Sequence, residues 1–225
     1  MIFTCILVAY AKQGELFMVS LNALNALKKP KTRKGRETFA RIVAAGEKQF
    51  HLQTYPVASI TDIAKEAGVG TGTFYLYFDS KQSLFRYLVL SYHHEIRKEI
   101  AEATKNVKNR RDIERIGFKT YFKYIFKNPY AYTIIWQSLV VDKDLFTYYY
   151  TSFADKYRIG LEDAIKKGEI REDISAIDIA YALIGITNFV GLKLSIFDGP
   201  KTTIKDIDAA VDEAMKLLES GIFTK

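Results

Sequence analysis

Cysteine is almost missing from this chain of 225 residues. The one copy, Cys5, excludes an internal disulfide and any zinc site built on several thiolates, and it fits a reducing cytoplasm. Histidine is scarce as well: His51, His93 and His94 stand without metal-ligand spacing. HExxH, a Gly-rich phosphate loop and any Cys/His pattern are all absent, so the expectation is a protein that is not an enzyme and uses no cofactor or metal. There is no internal repeat and no low-complexity tract, and from Lys81 onward no segment reads convincingly as a strand. The apolar run MIFTCILVAYA at the start is too short to span a bilayer and has no basic residues ahead of it, as a signal peptide would. Three readings of residues 1–27 stand: a start placed upstream of the true one, with Met18 as initiator; an extra helix on the body; or a weak membrane tether.

What is present is a large apolar fraction, 48% of the residues, enough for a sizeable core and incompatible with a disordered chain. The net charge of +7 is unevenly placed. Lys28 to Lys81 carries ten Lys/Arg against five Asp/Glu, whereas Glu169 to Lys225 carries six against ten. Residues 82–168 are also basic, so charge alone does not single out the front of the chain. Within that front, KKPKTRKGR, Lys28 to Arg36, holds six positive charges and no negative one. Such an arm, Arg33 included, can neutralise phosphates or enter a minor groove; a solvated tail is the plainer alternative.

The segment that follows carries the most information. Ser59 and Asp62 have the spacing of a capping box, and Ile60, Ile63, Ala64 and Ala67 recur at helical intervals. Gly68 then supplies the left-handed residue that ends a helix. After the turn, Val69 and Phe74 point inward, leaving Gly70, Thr71, Gly72, Thr73, Tyr75 and Tyr77 outside. A short second helix that opens on glycines and hydroxyls can approach base edges closely. Thr71 and Thr73 can donate, accept or lay a methyl on thymine, and Tyr75 and Tyr77 can reach phosphate oxygens. Lys81 follows a cap at Asp79 or Ser80, so a cation stands at a helix start that disfavours it, which a phosphate would offset. An earlier helix, Arg33 to Phe50, turns Phe39, Ile42, Val43, Gly46 and Phe50 inward.

Ile63-Ala64-Lys65-Glu66-Ala67-Gly68-Val69, then Gly72-Thr73-Phe74-Tyr75-Leu76-Tyr77-Phe78 and Ser80-Lys81, resemble the DNA-binding signature of TetR-family transcriptional regulators. The likeness runs from Arg33 to about Phe85. It implies an all-α fold with an N-terminal three-helix helix-turn-helix head, residues 28–79, and a larger C-terminal helical ligand-binding and dimerisation domain, residues 80–225. It further implies that Thr61, Tyr75, Tyr77 and Lys81 contact phosphate and that Thr71, Gly72 and Thr73 lie against base edges. Position 70, often serine in such proteins, is glycine here, so Thr71 is expected to cap the recognition helix.

The rest of the chain reads as helices: about Ser80 to Asn106 with the seam Leu84, Leu88, Tyr92 and Ile96, about Asp112 to Lys127, one opened by Asn128 and Pro129, and Asp144 to Lys167 ended by Gly168. Two more are opened by Ser175 with Asp178 and by Thr203 with Asp206, separated by the loop Phe197 to Pro200. Their stripes, Ile179, Leu183, Ile186, Val190 and Leu194 on one and Ile207, Val211, Met215 and Leu218 on the other, suit self-association, with Gly185 and Gly191 permitting close approach. The rival reading makes both stripes internal core. Fourteen of the chain's aromatic residues fall between Phe118 and Tyr157, with many tyrosines among them. That cluster suggests a cavity for a hydrophobic small molecule, lined by Tyr121, Phe122, Tyr132, Trp136, Tyr149 and Phe153 with Asn188 as a polar anchor. An aromatic-rich core is the competing reading.

The function expected from these features is a cytoplasmic one-component regulator, a repressor, that binds a palindromic double-stranded DNA operator as a homodimer and is released by a hydrophobic small-molecule effector. The alternative is a helical ligand-binding or membrane-associated protein without specific DNA binding.

Overall fold

The computed structural model describes residues 30–223. The apolar run from Met1, Cys5, Met18 and the first two lysines of the basic arm lie outside the described residues. Among those described, nine α-helices account for the fold, and the extended pairing is one isolated bridge between Ile170 and Phe223. The helices are α1 (Arg33–Val57), α2 (Ile60–Glu66), α3 (Thr71–Tyr75), α4 (Lys81–Thr104), α5 (Arg110–Lys127), α6 (Pro129–Val141), α7 (Lys143–Lys166), α8 (Ala176–Leu192) and α9 (Ile204–Gly221). The all-α expectation with a helix-turn-helix head holds.

Side chains at the caps explain most of the boundaries. Asn109 takes the backbone N–H of Asp112 at 2.8 Å, which starts α5 two residues before the expected position. Ser80 and Ser83 each accept the other's backbone N–H at 3.1 Å, so Ser80 rather than Asp79 caps α4. Of the three expected boxes ending in aspartate, only Thr203 with Asp206 is reciprocal. At Ser59 and Ser175 the aspartate accepts the cap's own hydroxyl instead, while the hydroxyl oxygen accepts the aspartate N–H. Gly168, at φ 71°, ends the α7 region, and α8 continues into a π-helical segment, Lys193–Phe197. Helix α1 is longer than expected and breaks at Thr54.

The described chain forms two compact units. The first takes in residues up to His93 together with Thr133–Tyr149. Its core is aromatic: Phe50, Phe74, Phe78 and Phe85 are fully buried beside Ile42, Ile63 and Leu84. Each such ring contributes about 1.5–3 kcal/mol when taken out of water. Phe39 stacks on Phe78 at 5.3 Å between centroids, and Phe50 meets Phe85 edge-on at 5.5 Å. Gly46 is small because the Leu84 side chain of α4 occupies the space that a Cβ would need.

The second unit is His94–Tyr132 with Tyr150–Lys225. Here α5 packs on α8 and α9. Arg111, Arg115 and Lys119, four residues apart along α5, pair with Glu219, Asp212 and Asp208 of antiparallel α9. These pairs are about half exposed, so each contributes ~0–1 kcal/mol and their main effect is to set register. Deeper in, Arg110 and Glu114 form an ion pair at 2.5 Å, with side chains 7% and 2% exposed. Tyr157 donates its hydroxyl to Glu114, and Glu169 accepts the Arg110 backbone N–H at 2.5 Å. Burial pushes the Glu114 carboxyl above its ordinary range, opposed by Arg110 and Tyr157.

The stripes assigned to self-association are mostly the core of this unit. Ile179, Leu183, Leu194, Ile207, Val211, Met215 and Leu218 are all buried within one chain, Ile186 and Val190 half-buried. The apolar side chains that these two helices and the π-helical segment leave outside are Tyr181, Phe189, Ile196, Phe197, Ile204 and Leu217. A helix must close its own body before it offers a face to anything else, and the sequence pattern does not separate the two tasks.

Candidate nucleic-acid interface and polar cluster

The first unit builds a helix-turn-helix from α2 and α3. Ile63, Ala64 and Ala67 bury the inner side of α2, Gly68 turns the chain at φ 64°, and the N–H of Val69 returns to the Ala64 carbonyl at 3.0 Å. Helix α3 starts at Thr71, so Gly70 is its N-cap and no side chain caps it. The expected capping role of Thr71 is thereby corrected: its hydroxyl is one position too late. Phe74 and Phe78 anchor the segment at 0% exposure. Gly70, Thr71, Gly72 and Tyr75 stand outside, with Thr73 and Tyr77 half-buried. A Cβ at Gly70 or Gly72 would meet nothing within 4 Å, so the backbone itself is open to an approaching surface. Tyr77 is shared, its ring edge against Phe39 at 5.9 Å. Leu76, 64% exposed, also stands on the outside; a leucine reads as core by default, which is why the pattern passed over it.

Thr61 is exposed at the second position of α2. Arg33 is at the start of α1, paired with Glu37 at 2.9 Å on a side chain 90% exposed, an ion pair that a phosphate would readily replace. Lys81 already has partners within the chain. Its ammonium donates to the carbonyls of Tyr55 and Ala58 at 2.7 Å each, lies 3.4 Å from that of Pro56, and sits over the Tyr55 ring at 4.5 Å. Backbone carbonyls therefore answer the misplaced positive charge at the α4 start, and a phosphate would have to displace one of them.

In the second unit Asn188 is a hub. Its amide donates to the Ile184 carbonyl at 2.8 Å, and its Oδ1 accepts from Tyr150 at 3.1 Å and, at the limit of a hydrogen bond, from Tyr121 at 3.5 Å. Tyr132 donates to the Asn188 backbone carbonyl. Burial raises the pKa of Tyr121 and Tyr150 well above the ordinary phenol value, so these hydroxyls remain donors at all physiological pH.

The family model described as bacterial regulatory proteins, tetR family, matches residues 42–88, the segment that holds α2, α3 and the α4 start. This segment is similar to the tetR family of bacterial regulatory proteins. Over 208 residues the chain is 24% identical to an uncharacterised HTH-type transcriptional regulator of Bacillus subtilis, YdgC, covering 85% of this chain and 96% of that one. Among solved structures it is similar to the fatty acid degradation regulator FadR of Bacillus halodurans, with a TM-score of 0.72 and 19% identity over 84% of this chain and 96% of that one. It is also similar to FadR of Bacillus subtilis in complex with stearoyl-CoA, with a TM-score of 0.67 and 20% identity over 81% of this chain and 98% of that one. At such identities the structural likeness speaks for the fold.

All the anticipated DNA-contacting residues except Arg33 fall inside the matched segment. The seven residues anticipated around a ligand do not belong to one unit. Tyr121, Phe122, Tyr132, Phe153 and Asn188 are in the second, Trp136 and Tyr149 in the first. Phe122 is 1% exposed and serves as core; Trp136 is 37% exposed; Tyr149 packs edge-on to His93 at 5.2 Å; Phe153 is half-buried. Tyr150, whose hydroxyl reaches Asn188, was not among the seven, and its place in a run of three tyrosines gave no clue to which one turns that way. Gly191 proves to serve the tyrosines rather than a second copy: an added Cβ would stand 2.9 Å from the Tyr132 hydroxyl and 3.2 Å from a Tyr121 ring carbon. Gly191→Ala should therefore displace both rings and lower stability by about 1–3 kcal/mol, the usual cost of overpacking, as measured by denaturant unfolding.

Proposed function

We propose that this protein is a repressor, not an enzyme, that binds a palindromic operator as a homodimer in the cytoplasm and leaves it when a long-chain acyl compound, such as an acyl-CoA, binds the second unit. The observation that carries the reading is the surface of α3: Thr71, Gly72 and Tyr75 face outward over fully buried Phe74 and Phe78. Two such surfaces on a twofold axis would enter successive major grooves about 34–36 Å apart. The apolar side chains left outside on α8 and α9, from Tyr181 to Leu217, support pairing with a second copy; Gly185 among them has open space around its missing Cβ. Helix Ala176–Phe197 is also long and apolar enough to cross a membrane by length and composition, but its inner side, Ile179, Leu183 and Leu194, belongs to the core of the second unit.

The ligand class follows from what the Bacillus subtilis FadR structure holds, stearoyl-CoA. The tyrosine hydroxyls around Asn188 offer this chain's polar contacts for the thioester or head-group end. Linkage requires that the ligand weaken DNA binding by the same factor that DNA weakens ligand binding. The test is to select DNA from a random pool, then titrate stearoyl-CoA into the protein–DNA complex while following mass by light scattering. A dimer that holds a palindrome and loses it to the acyl-CoA is the expected outcome. Selected DNA that stearoyl-CoA leaves bound removes the acyl reading, and a pool without enrichment removes the DNA-binding one.

A further inference from the structure

The break in α1 lies at Thr54, whose φ of 64° and ψ of 161° fall in a region that is essentially reserved for glycine. Thr54 is the one non-glycine residue with positive φ among the described residues, and it is β-branched, the side-chain type least suited to that conformation. Pro56, two residues on, keeps the helix from running through unbroken, but it does not by itself require positive φ at a threonine, so something further must hold Thr54 there. In an unbroken helix the N–H of Tyr55 would bond to the carbonyl of His51; turned aside at Thr54, it donates to Oε1 of Gln137 at 2.7 Å. The same carboxamide donates from Nε2 to the Phe50 carbonyl at 2.9 Å. One turn earlier on α6, Thr133 meets His51 Nδ1 at 3.1 Å. Beyond the break, Lys81 gathers the carbonyls of Tyr55, Pro56 and Ala58. Ala58 precedes Ser59, the cap of α2. The stretch from Thr54 to Ala58 thus joins α1 to the helix-turn-helix, and it is held on one side by Gln137 and on the other by Lys81, all within the first unit.

We infer that Gln137 is a positioning residue for DNA binding: by clamping the strained turn at Thr54 it fixes the direction in which α2 and α3 leave α1, although it is distant from them in sequence and touches no groove. The inference rests on the DNA-binding reading and adds a residue to it. Without the clamp, Thr54 relaxes toward its ordinary conformations, and operator affinity falls by the fraction of molecules that keep the competent one. Because every phosphate-binding side chain stays in place, the salt dependence of binding remains that of the wild type.

The experiment compares wild type, Gln137→Ala, Thr54→Gly and the double variant, each for melting temperature and for affinity to DNA selected by the wild type. Gln137→Ala should weaken binding roughly tenfold, the scale of a half-buried N–H left unbonded, with the salt slope unchanged. Thr54→Gly, which accepts this φ and ψ without strain, should leave affinity near wild type and restore most of the loss in the double variant. Leu161→Ala, a core change in the second unit, serves as a control: it should lower the melting temperature while sparing affinity. Wild-type affinity in Gln137→Ala overturns the inference, as does a loss that Thr54→Gly does not restore. Failure of the wild type to enrich any DNA sequence is a different result, and it removes the DNA-binding reading on which the inference stands.

Discussion

Replacing Thr71 and Tyr75 together by alanine should abolish sequence-selective DNA binding while leaving the fold unchanged. Both side chains stand outside, Tyr75 at 52% exposure, and the anchors beneath them, Phe74 and Phe78, are untouched. Surface changes of this kind move stability by about 0.5 kcal/mol or less. Removing a side chain that reads a base edge costs about 1–3 kcal/mol of discrimination, and in the proposed twofold complex each substitution is made twice, so specific affinity should fall by roughly a hundredfold or more. The readout is competition between the selected operator and unrelated duplex at fixed salt. Retained discrimination with an unchanged melting curve would mean that other side chains, Leu76 first among them, read the sequence.

The second large effect concerns stability. Arg110→Met would leave the Glu114 carboxylate, 2% exposed, without its partner. Breaking a buried ion pair by removing one member costs about 3–5 kcal/mol, because the remaining charge stays desolvated. The pH dependence follows from the direction of the shift. Burial already raises Glu114 above its unfolded value, and losing Arg110 raises it further, so between the two values the folded state binds more protons than the unfolded one. The variant should accordingly regain stability as pH falls from neutral toward the carboxylate range, whereas the wild type shows less of this gain. Replacing both residues, Arg110→Met with Glu114→Leu, should recover much of the loss, since no charge is then left behind. Urea unfolding at neutral and mildly acidic pH measures all three; a deficit in Arg110→Met that does not change with pH would show that lost packing, such as the guanidinium over the Tyr157 ring at 5.2 Å, outweighs the stranded charge.

Local signals carried far along this chain. Ser59, Gly68, Asn128 with Pro129, Gly168, Ser175 and Thr203 each act within a turn or two of their own position, so helix ends close to the true ones follow from sequence. The order of residues from Ile63 to Lys81 identifies the helix-turn-helix for the same reason: its inward and outward sides are set by local periodicity. The side chains on the outside of α3 were legible because Phe74 and Phe78 fix the phase of everything between them.

Residues that meet across long separations were not legible. Whether Ile179 and Leu183 close their own body or meet a second copy depends on where α5 lies, and periodicity is identical in the two cases. The one polar residue on α8, Asn188, could be seen; that Tyr132 and Tyr150 converge on it could not. Lys81 at a helix start was recognised as anomalous from electrostatics alone, but its partners, the carbonyls of Tyr55 and Ala58, exist only because α1 breaks at Thr54. That break has a local contributor in Pro56, which lacks the N–H to continue the helix and disfavours a helical Tyr55, but the residue types do not show that Thr54 would take the positive φ. Sequence by itself determined the helices, most of their caps and the outward face of the DNA-reading segment, all of which are set by neighbours a few residues apart. Tertiary structure alone decided which apolar stripe is core, which tyrosines share a carboxamide and what holds Thr54, because each depends on a partner brought near by packing rather than by chain order.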